Sequence, residues 1–220
     1  MIELILNSDV AEAHESAAVI GIDISPIQPN WVPPNCRFVI EDAEMEWPWD
    51  LNYFDFIHTR HLIGAISDWP RLYEQAFRHL RPGGWFEHCE YDITTRSDTG
   101  LVDDDHIFNR WCKYFFDSSK VTGRRFDFPR KGEMKKIMDE AGFVDVVHRQ
   151  WKIPIGGWAR DPKMKELGFF TFEFIDSSLE GFALFILNKI MEWEVDRIMA
   201  HVKEMQDGIR RGRLMPYFIL

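Results

Sequence analysis

Asp23 closes the run Val19-Ile20-Gly21-Ile22-Asp23, which puts a carboxylate at the end of a short β-branched stretch. An acid just past a parallel strand can accept both hydroxyls of a ribose. The same side chain can also cap the turn that Ser25-Pro26 imposes, and spacing alone leaves both uses open. Glu41-Asp42-Ala43 follows the next such stretch, where an acid can accept a hydrogen bond from an adenine amino group or stand solvated in a loop. Tyr53-Phe54-Asp55-Phe56-Ile57 runs into His58, Thr59, Arg60 and His61, polar and basic groups at the carboxyl edge of a strand, the edge at which open parallel sheets bind ligands. Glu87 and Glu90 alternate with Phe86 and Cys89 on a further strand, so Glu90 or Tyr91 at its end could touch a substrate.

Elements able to position these groups follow from the hydrophobic period. Residues 17–24, 36–42, 53–59 and 85–91 read as strands. Trp69 to Leu80 reads as a helix with Leu72, Ala76, Phe77 and Leu80 inward, stopped by Arg81-Pro82-Gly83-Gly84. A helix follows Asp103-Asp104-Asp105, its inner face Ile107, Phe108, Trp111, Cys112, Phe115 and Phe116; another spans 132–141 and closes at Gly142. A strand is expected over Phe143–Ile153. Strands alternating with helices predict an α/β fold with a mostly parallel sheet covered on both faces. From Pro154 to Arg213 the pattern turns helical, with Phe169, Phe170, Phe172 and Phe174 expected as core, before the strand-like 215–220. The reading is one domain over 1–220 with a helical cap, 154–213, inserted before the last strand. Trp47-Pro48-Trp49 and Trp69-Pro70 read as anchors packing on the sheet.

Composition bounds the partners. The chain has 220 residues with 26 Lys+Arg against 36 Asp+Glu, a formal charge of -10, the wrong sign for tracking a phosphate backbone. Nucleic acid is therefore not expected. Glu173, Asp176, Glu180 and Lys189 interrupt the most apolar stretch, so no membrane span is expected. Cys36, Cys89 and Cys112 are too scattered for a disulfide framework or a zinc site, and the N-terminus lacks a signal-peptide pattern. A cytoplasmic protein is the expectation, or a nuclear one if its role is regulatory.

Together, VIGIDISPIQPNWVPPNCRFVIEDAEMEWPW, FDFIHTRHLIGAISDWPRLYEQAFRHLRPGGWFEHCEY, GFVDVV, WARDPKMKELG and the closing PYF resemble the fungal LaeA-type methyltransferase family, whose members are regulators and tailoring enzymes of secondary metabolism. The resemblance covers nearly the whole chain, and FDFIHTRHL combined with LRPGGW is specific. It implies a class I methyltransferase, Rossmann-like fold and S-adenosylmethionine as cofactor. Asp23 would hold the ribose, Asp42 and Ala43 the adenine, and His58 to Arg60 would lie near the sulfonium; His58 and His61 are the candidate bases. The substrate would be an aromatic or polyketide-like small molecule. The alternative is a catalytically inactive regulator acting through protein partners.

One departure from the family bears on the cofactor. The first glycine is Gly21, so no turn of the type D-x-G-x-G-x-G precedes VIGID. The chain reads as truncated at that motif, with weakened cofactor binding as the consequence. Ile2–Asn7 is expected to fill the vacated strand slot, with Asp9 and Glu12 opening a shortened helix. The cap is expected to close over the carboxyl edge and make a partly apolar pocket based on His58, Arg60 and Tyr91.

Overall fold

The computed structural model describes residues 2–26 and 31–220; Ile27–Asn30, inside the first block of the family resemblance, lie outside the described residues. The chain divides into two compact units, Met1–Arg60 with Asp68–His88, and His61–Ser67 with Cys89–Leu220.

The first unit opens with helix α1 (Ile2–Ala13), followed by strands β1 (Val19–Asp23) and β2 (Cys36–Ile40). β1 and β2 pair in parallel, from Val19 opposite Cys36 to Asp23 opposite Ile40, which brings their carboxyl ends to one edge. Gly21 at the centre of β1 is needed for packing. A Cβ there would stand 2.4 Å from the Phe38 ring and 2.6 Å from Asn7 Nδ2. The Asn35 amide donates to the carbonyls of Ala11, His14 and Ala17 at 2.9, 3.1 and 3.0 Å, tying the last turn of α1 and the turn after it to the start of β2.

Ile2–Asn7 is therefore not a strand, and Asp9 and Glu12 belong to the later turns of α1 rather than to the start of a helix. Ile2, Ile5, Leu6 and Val10 recur at helical spacing, and neither Gly nor Pro interrupts 2–13. A short apolar run fits both periods, and the unbroken continuation into Ala11-Glu12-Ala13 decides for the helix.

Strand β3 (Phe54–Arg60), helix α2 (Trp69–His79) and strand β4 (Leu80–Cys89) complete this unit, apart from Cys89. β3 pairs with β4. Tyr53 N–H donates to the His79 carbonyl at 2.8 Å and His61 N–H to that of Cys89 at 3.2 Å, so the strands run in parallel. Asp68 caps α2 by accepting from Arg71 N–H at 3.0 Å, and Pro70 sits in the first turn, where its missing N–H costs nothing. The inward face of α2 is Trp69, Leu72, Tyr73, Gln75, Ala76 and His79, while Phe77 is exposed. Tyr73 meets Phe86 edge-on at 5.3 Å and Trp69 stacks on His88 at 5.2 Å. Phe86 and His88 thus face α2, and the alternating Trp85 and Glu87 point the other way. Strand β4 begins at Leu80, ahead of the Pro-Gly-Gly expected to separate it from the helix.

The second unit contains β5 (Asp92–Arg96), α3 (Ile107–Thr122), α4 (Glu133–Ala141), β6 (Lys152–Pro154), α5 (Pro162–Ala183) running on into a π turn at Leu184–Ile190, α6 (Val195–Arg210) and β7 (Tyr217–Ile219). The sheet order is β5-β7-β6, antiparallel throughout. Its core joins Phe108, Trp111 and Phe115 of α3 to Leu179 and Ala183 of α5, Leu187 of the π turn, and Ile198, Val202, Met205 and Ile209 of α6. His106 caps α3, its Nδ1 accepting from Phe108 N–H at 3.3 Å, with the acidic triplet just ahead.

Two expectations fail here. Within the 143–153 stretch only Lys152 and Ile153 are strand, continuing to Pro154, because β7 pairs with three residues and Asp145 adopts a left-handed φ of 55°; Val144 and Val147 are exposed. Phe169, Phe170 and Phe174 are exposed rather than core, because the inward face of α5 is Gly168, Thr171, Leu179 and Ala183 with Phe172 and Ile175 beside it.

The contacts at Gly21 predict that Gly21→Ala lowers stability by about 1–3 kcal/mol, the usual cost of an added methyl in a packed interior. Urea titration of the two proteins measures it. An unchanged midpoint would mean that the Phe38 ring and Asn7 give way to the added methyl without loss of packing.

Candidate functional site

The strand-end acids are fixed by their own loops. Asp23 Oδ1 accepts from Ser25 N–H at 2.8 Å, and its carbonyl accepts from Glu41 N–H at 3.1 Å. Asp42 Oδ1 accepts from Glu44 N–H at 2.9 Å on an exposed side chain. Each carboxylate uses one oxygen to hold a turn, as Asp does, and keeps a second oxygen as an acceptor. Because Asp23 is in register with Ile40, Asp42 lies two residues further along the same edge.

The loop carrying Ala43 is tied to α2. Ala43 C=O accepts from Trp47 Nε1 at 3.0 Å and from Gln75 Nε2 at 3.4 Å, and Gln75 Oε1 accepts from Trp47 N–H at 3.0 Å. Trp47 is buried and packs against His79 at 5.2 Å, so it is the anchor that its Pro-flanked position suggests.

On β3, His58 Nδ1 lies 2.8 Å from Glu87 Oε2. An ionised carboxylate only accepts, so Nδ1 carries the proton. His58 Nε2 is buried and has no hydrogen-bond partner. The reading of single residues missed this cross-strand pair, although the alternation that put Glu87 on one face of its strand was the signal for it. Arg60 ends β3, half-buried.

His61, Glu90 and Tyr91 belong to the second unit. His61 is exposed and has a φ of 54°. Its ring meets Tyr91 edge-on at 5.4 Å, and Tyr91 in turn meets Phe218 at 5.7 Å. Glu90 is buried, and its Oε1 accepts from Leu62 N–H. Burial pushes the Tyr91 phenol up to about 12, with the Glu90 carboxylate adding to the effect. The tyrosine is therefore a hydrogen-bond donor at any physiological pH.

The sequence-predicted residues thus fall into two groups, Asp23, Asp42, Ala43, His58 and Arg60 in the first unit and His61, Glu90 and Tyr91 in the second. A surface cavity of about 390 Å³ in the second unit is lined by none of them; its walls are Arg125, Asp127, Arg130 and Glu133, with Arg125 paired to both acids.

Residues 6–148 match the family model described as a methyltransferase domain. The chain belongs to this methyltransferase family. That span contains every residue of both groups. Methyltransferase pytC of Aspergillus terreus is 36% identical over 190 residues, 86% of this chain and 58% of that protein. Secondary metabolism regulator LAE1 of Cochliobolus heterostrophus is 31% identical over 205 residues, 92% of this chain and 65% of that one. The chain thus spans roughly three-fifths of the length of these curated relatives. Among solved structures, phosphoethanolamine N-methyltransferase 2 of Haemonchus contortus, in complex with S-adenosylhomocysteine, superposes with a TM-score of 0.54 at 16% identity, covering 99% of this chain and 45% of that one. The fold is that of a class I methyltransferase.

Tyr91 generates a pH prediction. Its folded value lies above the ordinary phenol value, so its contribution to stability is complete below about pH 10 and is lost as pH rises towards 12. Tyr91→Phe should flatten the loss of stability between these limits by on the order of 2 kcal/mol. Denaturant titrations at a series of alkaline pH values check it; Tyr114 and Tyr217, also raised, supply the slope that remains.

Proposed function

We propose that the chain is the S-adenosylmethionine-dependent methyltransferase domain of a fungal tailoring protein, acting in the cytoplasm on an aromatic or polyketide-like small molecule. The observation that carries this reading is the pair of acids, Asp23 and Asp42, on adjacent parallel strand ends in a chain of the methyltransferase family. Each is held by its own turn with one oxygen left to accept, which suits a nucleoside. Asp23 would take the ribose hydroxyls, Asp42 and Ala43 the adenine, and His58 to Arg60 would lie towards the methionyl end. The names of pytC and LAE1 support the setting in secondary metabolism.

When bound, S-adenosylmethionine supplies a methyl group on a positively charged sulfur, which is a good leaving group. The protein's part is then mainly alignment, with a base needed only where the acceptor atom holds its proton. His58 and His61 are the histidines at the carboxyl edge of β3.

The methionyl end fits less well. The described residues hold no glycine turn ahead of β1, and the Cβ position of Gly21 is taken by Phe38 and Asn7. Charge-assisted backbone donors are worth about 1.5–3 kcal/mol each, so a site without two of them is weaker by about 10²- to 10⁴-fold. The same feature favours a second reading, a regulator acting through protein partners, in line with the name of LAE1.

Calorimetry of the 220-residue chain with S-adenosylmethionine tests the first reading. A dissociation constant above about 100 μM is expected, weakened further by Asp23→Ala. Low-micromolar binding would mean that another segment takes the place of the glycine turn. Heat unaffected by Asp23→Ala, or none at all at millimolar ligand, would leave the regulatory reading.

A further inference from the structure

Helix α5 carries an apolar seam that its own unit leaves uncovered. Its inward side is Gly168, Thr171, Leu179 and Ala183. On the opposite side Leu167, Phe170, Phe174, Ser177 and Gly181 follow one another at alternating steps of three and four residues, and Phe185 in the π turn continues the line. All are exposed, Phe170 by 66% and Phe185 by 63%. Such steps keep side chains on one narrow seam, the pattern of a helix that packs against another. Ser177 gives its hydroxyl to the Glu173 carbonyl at 2.7 Å and so adds no open donor to the seam. At these exposures the phenyl and leucyl groups present on the order of 400 Å² of apolar surface, the size that marks an interaction site. Gly181 is a second sign. A Cβ there would meet nothing within 4 Å, so this chain has no steric need for a glycine that weakens its own helix. A glycine on a seam lets another backbone come close.

The flank of the seam selects what covers it. Glu166, Glu173 and Glu180 recur every seven residues along one side, all exposed, and their carboxylates have no hydrogen bond or ion pair among the described residues. Asp176, further round the helix, is bonded instead to Arg210 at 2.7 Å. Recurrence at seven beside an apolar seam is where paired helices place the charges that choose a partner. A second copy of α5 supplies no cation there: run antiparallel it sets these glutamates against themselves, and run parallel it sets them against Thr171 and Ser178. An anionic lipid surface is repelled by the same three charges.

We infer that the outward face of α5 docks an amphipathic helix of a partner protein, one with aliphatic side chains for the seam and Lys or Arg along its flank. The face lies within the second unit and holds none of the residues assigned to S-adenosylmethionine, so the inference does not rest on methyltransferase activity. Phe170 and Phe174 take the partner's aliphatic groups, and the row of glutamates fixes its register and direction.

The probe is a three-heptad synthetic helix with Leu at both seam positions and Lys at both flanking positions, whose own charges keep it monomeric; its counterpart has Glu in place of Lys. Calorimetry with the 220-residue chain should show the Lys peptide bound at least about tenfold more tightly than the Glu peptide. Glu166→Lys, Glu173→Lys and Glu180→Lys together should exchange that preference. Phe170→Ser with Phe185→Ser should weaken the Lys peptide about tenfold or more, while shifting Tm by less than about 4 °C because both rings are exposed. Equal affinity for the two peptides, a preference that the three reversals leave in place, or Lys-peptide binding untouched by the two serine substitutions would overturn the inference. So would a larger fall in Tm, which would make the rings part of this chain's own core. Sedimentation of the parent as a dimer, or its attachment to phosphatidylcholine vesicles, abolished in the serine variant, would assign the face to a second copy or to lipid instead.

Discussion

Gln75, with 2% of its surface exposed, ties together the parts of the first unit that carry Asp42 and Ala43. A buried primary amide must satisfy its donors and its acceptor or the unit loses the desolvation cost of each. Its oxygen takes the Trp47 N–H and its nitrogen reaches the Ala43 carbonyl, so the loop after β2 cannot shift without breaking both. The helix that bears Gln75 is itself fixed, by Asp68 at its first turn and by Trp69 and Tyr73 against β4. Position therefore passes from a capped helix, through one amide, to the edge where Asp42 stands. The Asp42 carboxylate needs no further bracing than its bond to Glu44 N–H.

The second unit solves a different problem. Its sheet is short, with three residues each in β6 and β7, and helix packing carries the stability instead. α3, α5 and α6 bury Phe108, Leu179, Ala183, Ile198 and Met205 almost completely. A polar lock holds the sheet's margin: Lys152 pairs with Asp98 and lies 3.7 Å over the Tyr217 ring, and Tyr217 donates to Asp98 at 2.6 Å. Asp98 is held below the usual carboxylate range first by its bond to Lys152 and then by that to Tyr217. Lys152 and Asp98 are exposed enough for solvent to screen them, so their work is to fix register more than to add stability.

The α/β class, the helical stretch ahead of the last strand and five of the seven strands among the described residues were legible in the sequence, β1 and β2 because each is a β-branched run with a turn signal behind it. The errors have local causes. Ile2–Asn7 is a short apolar run whose period is ambiguous, and only the helix-forming residues after it, Ala11-Glu12-Ala13, decide between the two. Residues 143–150 carry an alternating pattern but pair with no strand among the described residues, whereas Trp151 exchanges backbone bonds with Leu220. The Phe residues of α5 are dense for a solvent face, yet a helix has one inward face and Gly168, Thr171, Leu179 and Ala183 occupy it. At the site, the residue types and the strand edge were readable. The partners were not, since Glu87 beside His58 and Glu90 beside Leu62 depend on register and on a turn.

Strand parity explains why the sequence could propose two histidines and not choose between them. His58 and Arg60 share a face of β3, and that face places His58 opposite Glu87 on the parallel neighbour. The cross-strand partner fixes one nitrogen, and burial closes off the other. Had the strand run one residue further in register, His61 would share the face of Thr59 and Ile57 and be an ordinary strand residue. The left-handed φ at His61 ends the alternation there and turns its ring towards Tyr91 instead. The difference between the two histidines is a single backbone dihedral, and the next residue, Leu62, is held by a buried carboxylate twenty-eight residues further along the chain that no local pattern could have connected to it.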